Sequence, residues 1–205
     1  MGVETLHPVE VRVLGALLEK DLVTPEYYPL TVNSLQNACN QKSSREPLVN
    51  YDETTVQQAL ELLKNKGFVV RVSGAGHRVE KFGHRLGEKL NLGRRELALL
   101  CVLMLRGPQT VGELRTRTER MHDFNDLEEV ERVLESLASH SPDALVARAS
   151  RGRWMQLFSG SVEAPEPEPA ATTVTRSGLE ARIETLEREL NQLKQSFEEF
   201  RRQFT

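Results

Sequence analysis

Cysteine is scarce in this sequence: Cys39 and Cys101 are the only two, each stands inside an apolar helical pattern, and neither belongs to a CxxC or to a spaced Cys/His set. That spacing offers no thiolate metal centre, and both are expected to be reduced core residues. The histidines His7, His77, His84, His122 and His140 are equally scattered, with no helical His pair and no HExxH, so no metal site is expected. Long hydrophobic runs are missing too. No stretch approaches the roughly 18 uninterrupted apolar residues that a bilayer span requires, and the opening MGVETLHPVEVRVLGALLEK sets acidic residues among its apolar ones. A cytoplasmic location with no membrane partner is the expectation.

An excess of positive charge is also lacking. A formal charge of -3 and a pI near 6.0 deny the chain the global field that draws proteins to nucleic acid. Any DNA contact must then come from local patches, such as the basic segment from Arg71 to Arg85. No Gly-rich loop follows a strand to cradle phosphate, and "SGAGH" reads as a turn. Ser43, Ser44 and Cys39 have no His and acid in a recognisable nucleophile arrangement. The chain is expected to be non-enzymatic and to need no cofactor.

What the sequence does have is an internal repeat. "TVNSL" at 31–35 is echoed by "TVGEL" at 110–114, and "VQQALELL" from Val56 by "VERVLESL" from Val130. Each pair follows an apolar helix, VRVLGALLEK or ELALLCVLMLRG, and precedes a run rich in β formers. Thr31 and Thr110 are candidate N-caps for the second helices. The third helices bury Val56, Ala59, Leu60 and Leu63 in one copy and Val130, Val133, Leu134 and Leu137 in the other, at helical spacing. "FVVRVSGAGHRVEKF" and "ALVARASRGRWMQLF" then read as hairpins, the first turning at Gly-Ala-Gly and the second at Arg151 to Arg153. Three helices and a β-ribbon make a winged helix. The expected fold class is mainly α with small β-hairpins, with one winged-helix domain over 1–90 and a second over 91–160.

Residues 161–178 alternate Pro with Glu and lack aliphatic periodicity, the pattern of a linker. Over 179–205, Leu179, Ile183, Leu186, Leu190, Leu193, Phe197, Phe200 and Phe204 keep an unbroken 4,3 spacing, the seam of a coiled coil. Self-association through this helix is expected, since an exposed apolar stripe is a liability. Folding back on its own winged helices, or pairing with a different protein, are the alternatives. Charges flanking the seam attract in either orientation: Arg182 with Glu187 in a parallel dimer, Glu180 with Arg201 in an antiparallel one. Orientation and strand number stay open.

The segments "LLEKDLVTPEYYPLTVNSLQNACNQKSSREPLV" and "LRGPQTVGELRTRTERMHDF" are more specific than helix periodicity, and in them the chain resembles the YceH-like family of bacterial proteins. The resemblance covers about residues 6–160, and so both repeats. It implies tandem winged helices and brings no catalytic residue.

In a helix-turn-helix reader the third helix enters the major groove, so its solvent face should carry residues that reach base edges or phosphates. Thr54, Thr55, Gln57, Gln58, Lys64 and Asn65 lie off the apolar stripe of copy one, although Glu61, Asp52 and Glu53 share that region. Lys42, Ser43, Ser44 and Arg45 precede the helix as candidate phosphate contacts, and Arg71, Arg78 and Lys81 would let the hairpin reach the DNA backbone. Ordinary solvated surface is the alternative reading of all of them. Copy two presents Glu128, Glu129, Glu131 and Glu135 on its third helix, which suits a protein partner better than a phosphate backbone. Arg115, Arg117 and Arg120 offset this in part, and read mainly as a solvated face with Glu113 and Arg117 paired. Two functions follow as expectations: a regulator that contacts double-stranded DNA as a homo-oligomer, or a protein-interaction scaffold.

Overall fold

The computed structural model describes residues 5–72 and 79–160. The Gly-Ala-Gly turn, His77, Arg78, the linker and the whole 179–205 segment lie outside the described residues.

Helix α1 (Pro8–Val23) begins where proline fits the first turn, and His7 caps it: its Nδ1 accepts from the Val9 amide while Glu10 accepts from the His7 amide. The sequence from Glu10 to Leu18 is buried throughout. The same holds for Leu97 to Leu105 of helix α5 (Arg94–Arg106). A helix apolar on every side must be covered on every side, and these two cover each other. They meet at Gly15, where an added Cβ would lie 3.0 Å from Met104 Cβ and 3.1 Å from Leu105 Cδ2.

The remaining elements repeat around this central pair. In the first copy, α2 (Val32–Cys39) starts at an N-cap on Thr31 and α3 (Glu53–Asn65) at one on Asp52. Strands β1 (Val69–Val72) and β2 (Lys81–His84) then form an antiparallel ribbon, with Val69 opposite His84 and Val72 opposite Lys81. A short helix α4 (Leu86–Leu90), not anticipated from the sequence, ends on Asn91 in the left-handed region. In the second copy, β3 (Gln109–Thr110) precedes α6 (Val111–Thr118), whose capping box joins Thr110 and Glu113. Helix α7 (Leu127–Ala138) is capped by Asp126, and β4 (Val146–Arg148) pairs with β5 (Arg153–Gln156). The chain turns between these strands at Arg151 and Gly152, both at positive φ.

Each ribbon has a third contributor that the repeat did not announce. Gln109 pairs with Trp154, and at the equivalent place Leu30 exchanges both backbone hydrogen bonds with Phe82. The residue before the N-cap of each second helix is thus stitched to the returning strand, which fixes that helix against the ribbon. The predicted boundary between residues 90 and 91 falls at the end of α4, yet one buried cluster runs unbroken across it, from Leu6 to Phe158. Cys39 and Cys101 are free and buried in that cluster, and burial pushes the Cys39 thiol up to about 12.

Candidate nucleic-acid interface

The third helix of the first copy keeps its apolar stripe inward, with Val56, Ala59, Leu60 and Leu63 buried. The 3.6-residue period then forces Thr54, Gln57, Gln58, Glu61, Lys64 and Asn65 outward, and all six are exposed. Thr55 is only partly exposed, and its amide donates to the Asp52 cap at 2.7 Å. Lys64 is bonded to Glu61 at 2.5 Å, which cancels most of its charge locally. Uncharged amides therefore dominate the middle of this face. Leu62 joins them, 49% exposed, at the end of a shallow depression lined by Thr54, Gln57, Gln58 and Glu61.

The loop that leads into α3 splits the four phosphate candidates. Lys42 and Ser43 are exposed, and Ser44 is half-buried at a φ of 61° with its Oγ accepting from Arg106 at 2.6 Å. Arg45 is elsewhere: its side chain has no exposure at all. Its guanidinium spans both oxygens of Glu19, at 3.0 and 2.6 Å, and also donates to the Ala38 carbonyl at the open end of α2. The expectation that Arg45 grips phosphate is corrected accordingly. A loop cation is normally solvated, but this one lies against a helix end whose carbonyls lack partners and beside a buried carboxylate. Burial pushes the Glu19 carboxyl up, and Arg45's hydrogen bond and charge more than offset this, leaving it below its ordinary value. Arg12 finishes the same task, donating to the carbonyls of Cys39 at 3.4 Å and Pro47 at 2.6 Å.

The hairpin supplies Lys81, half-buried, and Arg71, which is exposed and paired across the ribbon with Glu80. Arg78 lies outside the described residues. His84, at the end of the second ribbon strand, is turned inward: its side chain is 7% exposed and its Nε2 stands 3.1 Å from Asp21. Burial holds the ring below its ordinary pKa, and the charges of Asp21 and Glu88 only partly restore it. The unfolded chain therefore takes up this proton first. His84 contributes stability that is complete above about pH 6.5 and is lost as the pH falls below it. We expect the urea midpoint to drop between pH 7.5 and 5.5, and H84N to drop less over the same interval; equal declines would remove His84 from this role.

The second copy confirms its acidity in position rather than in detail. Glu131 and Glu135 are exposed but both pair with Arg148, at 3.0 and 2.6 Å. Glu129 turns back to accept from the Asn125 amide, so it is not part of the outward face. Arg115 ties down the following loop through the carbonyls of Phe124 and Asn125, and Arg117 lies 3.6 Å from Glu113 as its spacing predicted. What sequence reasoning passed over is Arg106, read only as the end of an apolar helix. Its Nη2 reaches the Ser44 hydroxyl from the other copy, and no local pattern signals a partner 62 residues away.

Comparison with known proteins places this sequence among relatives. A family described as "Protein of unknown function, DUF480" matches residues 6–153, and so both copies of the repeat. The chain is 52% identical over 202 residues to a UPF0502 protein of Solibacter usitatus, covering 97% of this chain and 98% of that one. It is 45% identical over 203 residues to a UPF0502 protein of Serratia proteamaculans, covering 94% of each. Among the described residues no helix is long and apolar enough to cross a membrane.

Proposed function

Because the chain belongs to the DUF480 family, described as proteins of unknown function, we propose that it is a non-enzymatic pair of winged-helix domains that contacts duplex DNA through its first copy. The observation that carries this reading is the outward face of α3, where Thr54, Gln57 and Gln58 stand free of the core and free of charge. Gln pairs bidentately with the adenine edge in the major groove, which an α-helix can enter. Lys42 and Ser43, exposed in the loop that leads to α3, and Lys81, half-buried on the ribbon, are the candidate phosphate contacts. The order of helices and ribbon in each copy supports the winged-helix assignment, as does the third strand position before α2 and α6. Self-association through 179–204 belongs to the same proposal. It would place two weak DNA-contacting faces on one particle, where the second binds at high effective concentration.

We expect K42E to weaken duplex binding about tenfold and to reduce its salt slope by about one. Q57A with Q58A should instead narrow the gap between preferred and mixed-sequence duplexes, because base contacts discriminate while phosphate contacts do not. Unchanged binding in both would remove α3 and its leading loop from the interface. For the terminal helix, light scattering should give the full chain a mass above one protomer, and L186D with L190D should return it to one. A monomeric parent chain would contradict this part.

A protein-interaction scaffold is the second reading. It is favoured by Leu62, half-exposed within the α3 face, and by the carboxylates of α7. Under it, L62A would abolish partner capture, and K42E would change nothing.

A further inference from the structure

The two copies enclose a cleft of about 490 Å³ between α1, the loop 41–44, α5 and α6. Its walls carry Lys20, Lys42, Arg106, Arg117 and Arg120, and the apolar part of its lining comes from Val23, Val102, Leu105 and Met121. Among the described residues a single carboxylate, Glu19, reaches it, and that group is engaged by Arg45 on both oxygens. Five cations thus face one neutralised acid, in a chain whose formal charge is -3. Among the described residues, Lys42, Arg106 and Arg120 have no carboxylate at ion-pair distance, and Lys20 and Arg117 have only 3.6 Å contacts to Glu19 and Glu113.

Like charges do not gather in a concavity without cost. Arg106 is held there by its hydrogen bond to Ser44, whose backbone sits in the left-handed region at a φ of 61°. Burial lowers the Arg106 pKa, and the neighbouring Arg117 charge lowers it further. An anion is the species that this arrangement would stabilise most, and guanidinium groups match phosphate through paired hydrogen bonds. The volume falls within the range of small-molecule sites, which combine an apolar lining with a few convergent polar groups.

We propose that this cleft binds a phosphorylated small molecule of the nucleotide class, its phosphates against Arg106, Arg117, Arg120 and Lys42 and its nucleoside against the apolar side. The site stands independently of the DNA reading but shares Lys42 and Ser43 with it. An occupied cleft would withdraw those residues from a duplex, so the ligand would act as a regulator of that contact.

The test is titration calorimetry of the full chain, without DNA, against adenosine diphosphate, inorganic pyrophosphate and adenosine at low salt. We expect saturable binding of adenosine diphosphate, weaker binding of pyrophosphate and none of adenosine. R120E should weaken adenosine diphosphate at least tenfold; Arg120 is exposed and makes no hydrogen bond among the described residues, so this variant should fold, as circular dichroism will show. R106Q with R117Q should abolish binding. No saturable binding of adenosine diphosphate at millimolar concentration overturns the proposal, as does equal binding by R120E and the parent chain. Pyrophosphate binding as tightly as adenosine diphosphate overturns the nucleotide assignment. If the variants lose duplex binding while adenosine diphosphate never binds, the cleft is part of the DNA surface and the proposal fails while the DNA reading survives.

Discussion

Replacing Arg45 by alanine is expected to destabilise the protein by about 3–5 kcal/mol, the range for removing one partner of a buried ion pair. The loss has two sources. Glu19, at 16% side-chain exposure, would keep its carboxylate with no partner other than Lys20 at 3.6 Å. The Ala38 carbonyl at the end of α2 would lose the Nε and Nη2 donors at 3.1 and 2.8 Å. R45A should therefore unfold at a temperature roughly 10 °C below the parent, on the usual scaling for a domain of this size. The double variant R45M with E19L should recover most of the loss, because it removes both charges together. Equal stability of R45A and the parent would contradict the buried pairing. The same contrast separates structure from binding: a DNA contact at Arg45 would lower affinity and leave the unfolding temperature alone.

The second large effect is expected at Gly15. A leucine there would drive its Cβ into the side chains of Met104 and Leu105, which belong to the other copy of the repeat. Neither helix can retreat, because residues 10–18 and 97–105 are buried on all sides. Overpacking of this kind costs roughly 3 kcal/mol or more where the surroundings cannot give way. G15L should lower the stability of both copies together, in a single unfolding transition, since one core runs through them. Two separated transitions in the parent chain would show instead that the copies fold independently and that α1 against α5 is a minor contact. G15A, which places only the Cβ, should cost less than G15L.

The parts of this fold that were legible in the sequence are those decided within a few residues. Thr31 and Thr110 each satisfy amides in the first turn of their own helix, so their role follows from local spacing. The stripes of α3 and α7 follow from the helical period alone. The repeat made these readings stronger, because each feature occurs twice. What could not be read was decided by partners distant in the chain. Arg45 looks like a loop cation until Glu19, 26 residues earlier, is brought beside it. His84 looks like a wing residue until Asp21, 63 residues earlier, accepts its ring nitrogen. Leu30 and Gln109 give no strand signal, since a bridge of one or two residues has no period to detect. The candidate interface divides in the same way. Thr54, Gln57 and Gln58 were placed by the helix period and stand where it put them, whereas the cleft that Arg106 shares with Lys42 is a product of how the two copies pack.

That packing also explains how an acidic chain can present cationic surface. Many cations outside the cleft are spoken for: Arg71 by Glu80, Arg85 by Glu88, Lys66 by Glu10 and Arg148 by Glu131 and Glu135. Within the cleft, Lys42, Arg106 and Arg120 have no carboxylate at ion-pair distance among the described residues and are charge that a partner can use.

Duplex binding by the full chain across a salt series separates the two functional readings. A dissociation constant of about 1 µM or tighter is expected at low salt, with an affinity that falls steeply as salt rises because phosphate contacts release counterions. Binding that is absent even at low salt would contradict the DNA reading and leave the exposed face of α3 to a protein partner.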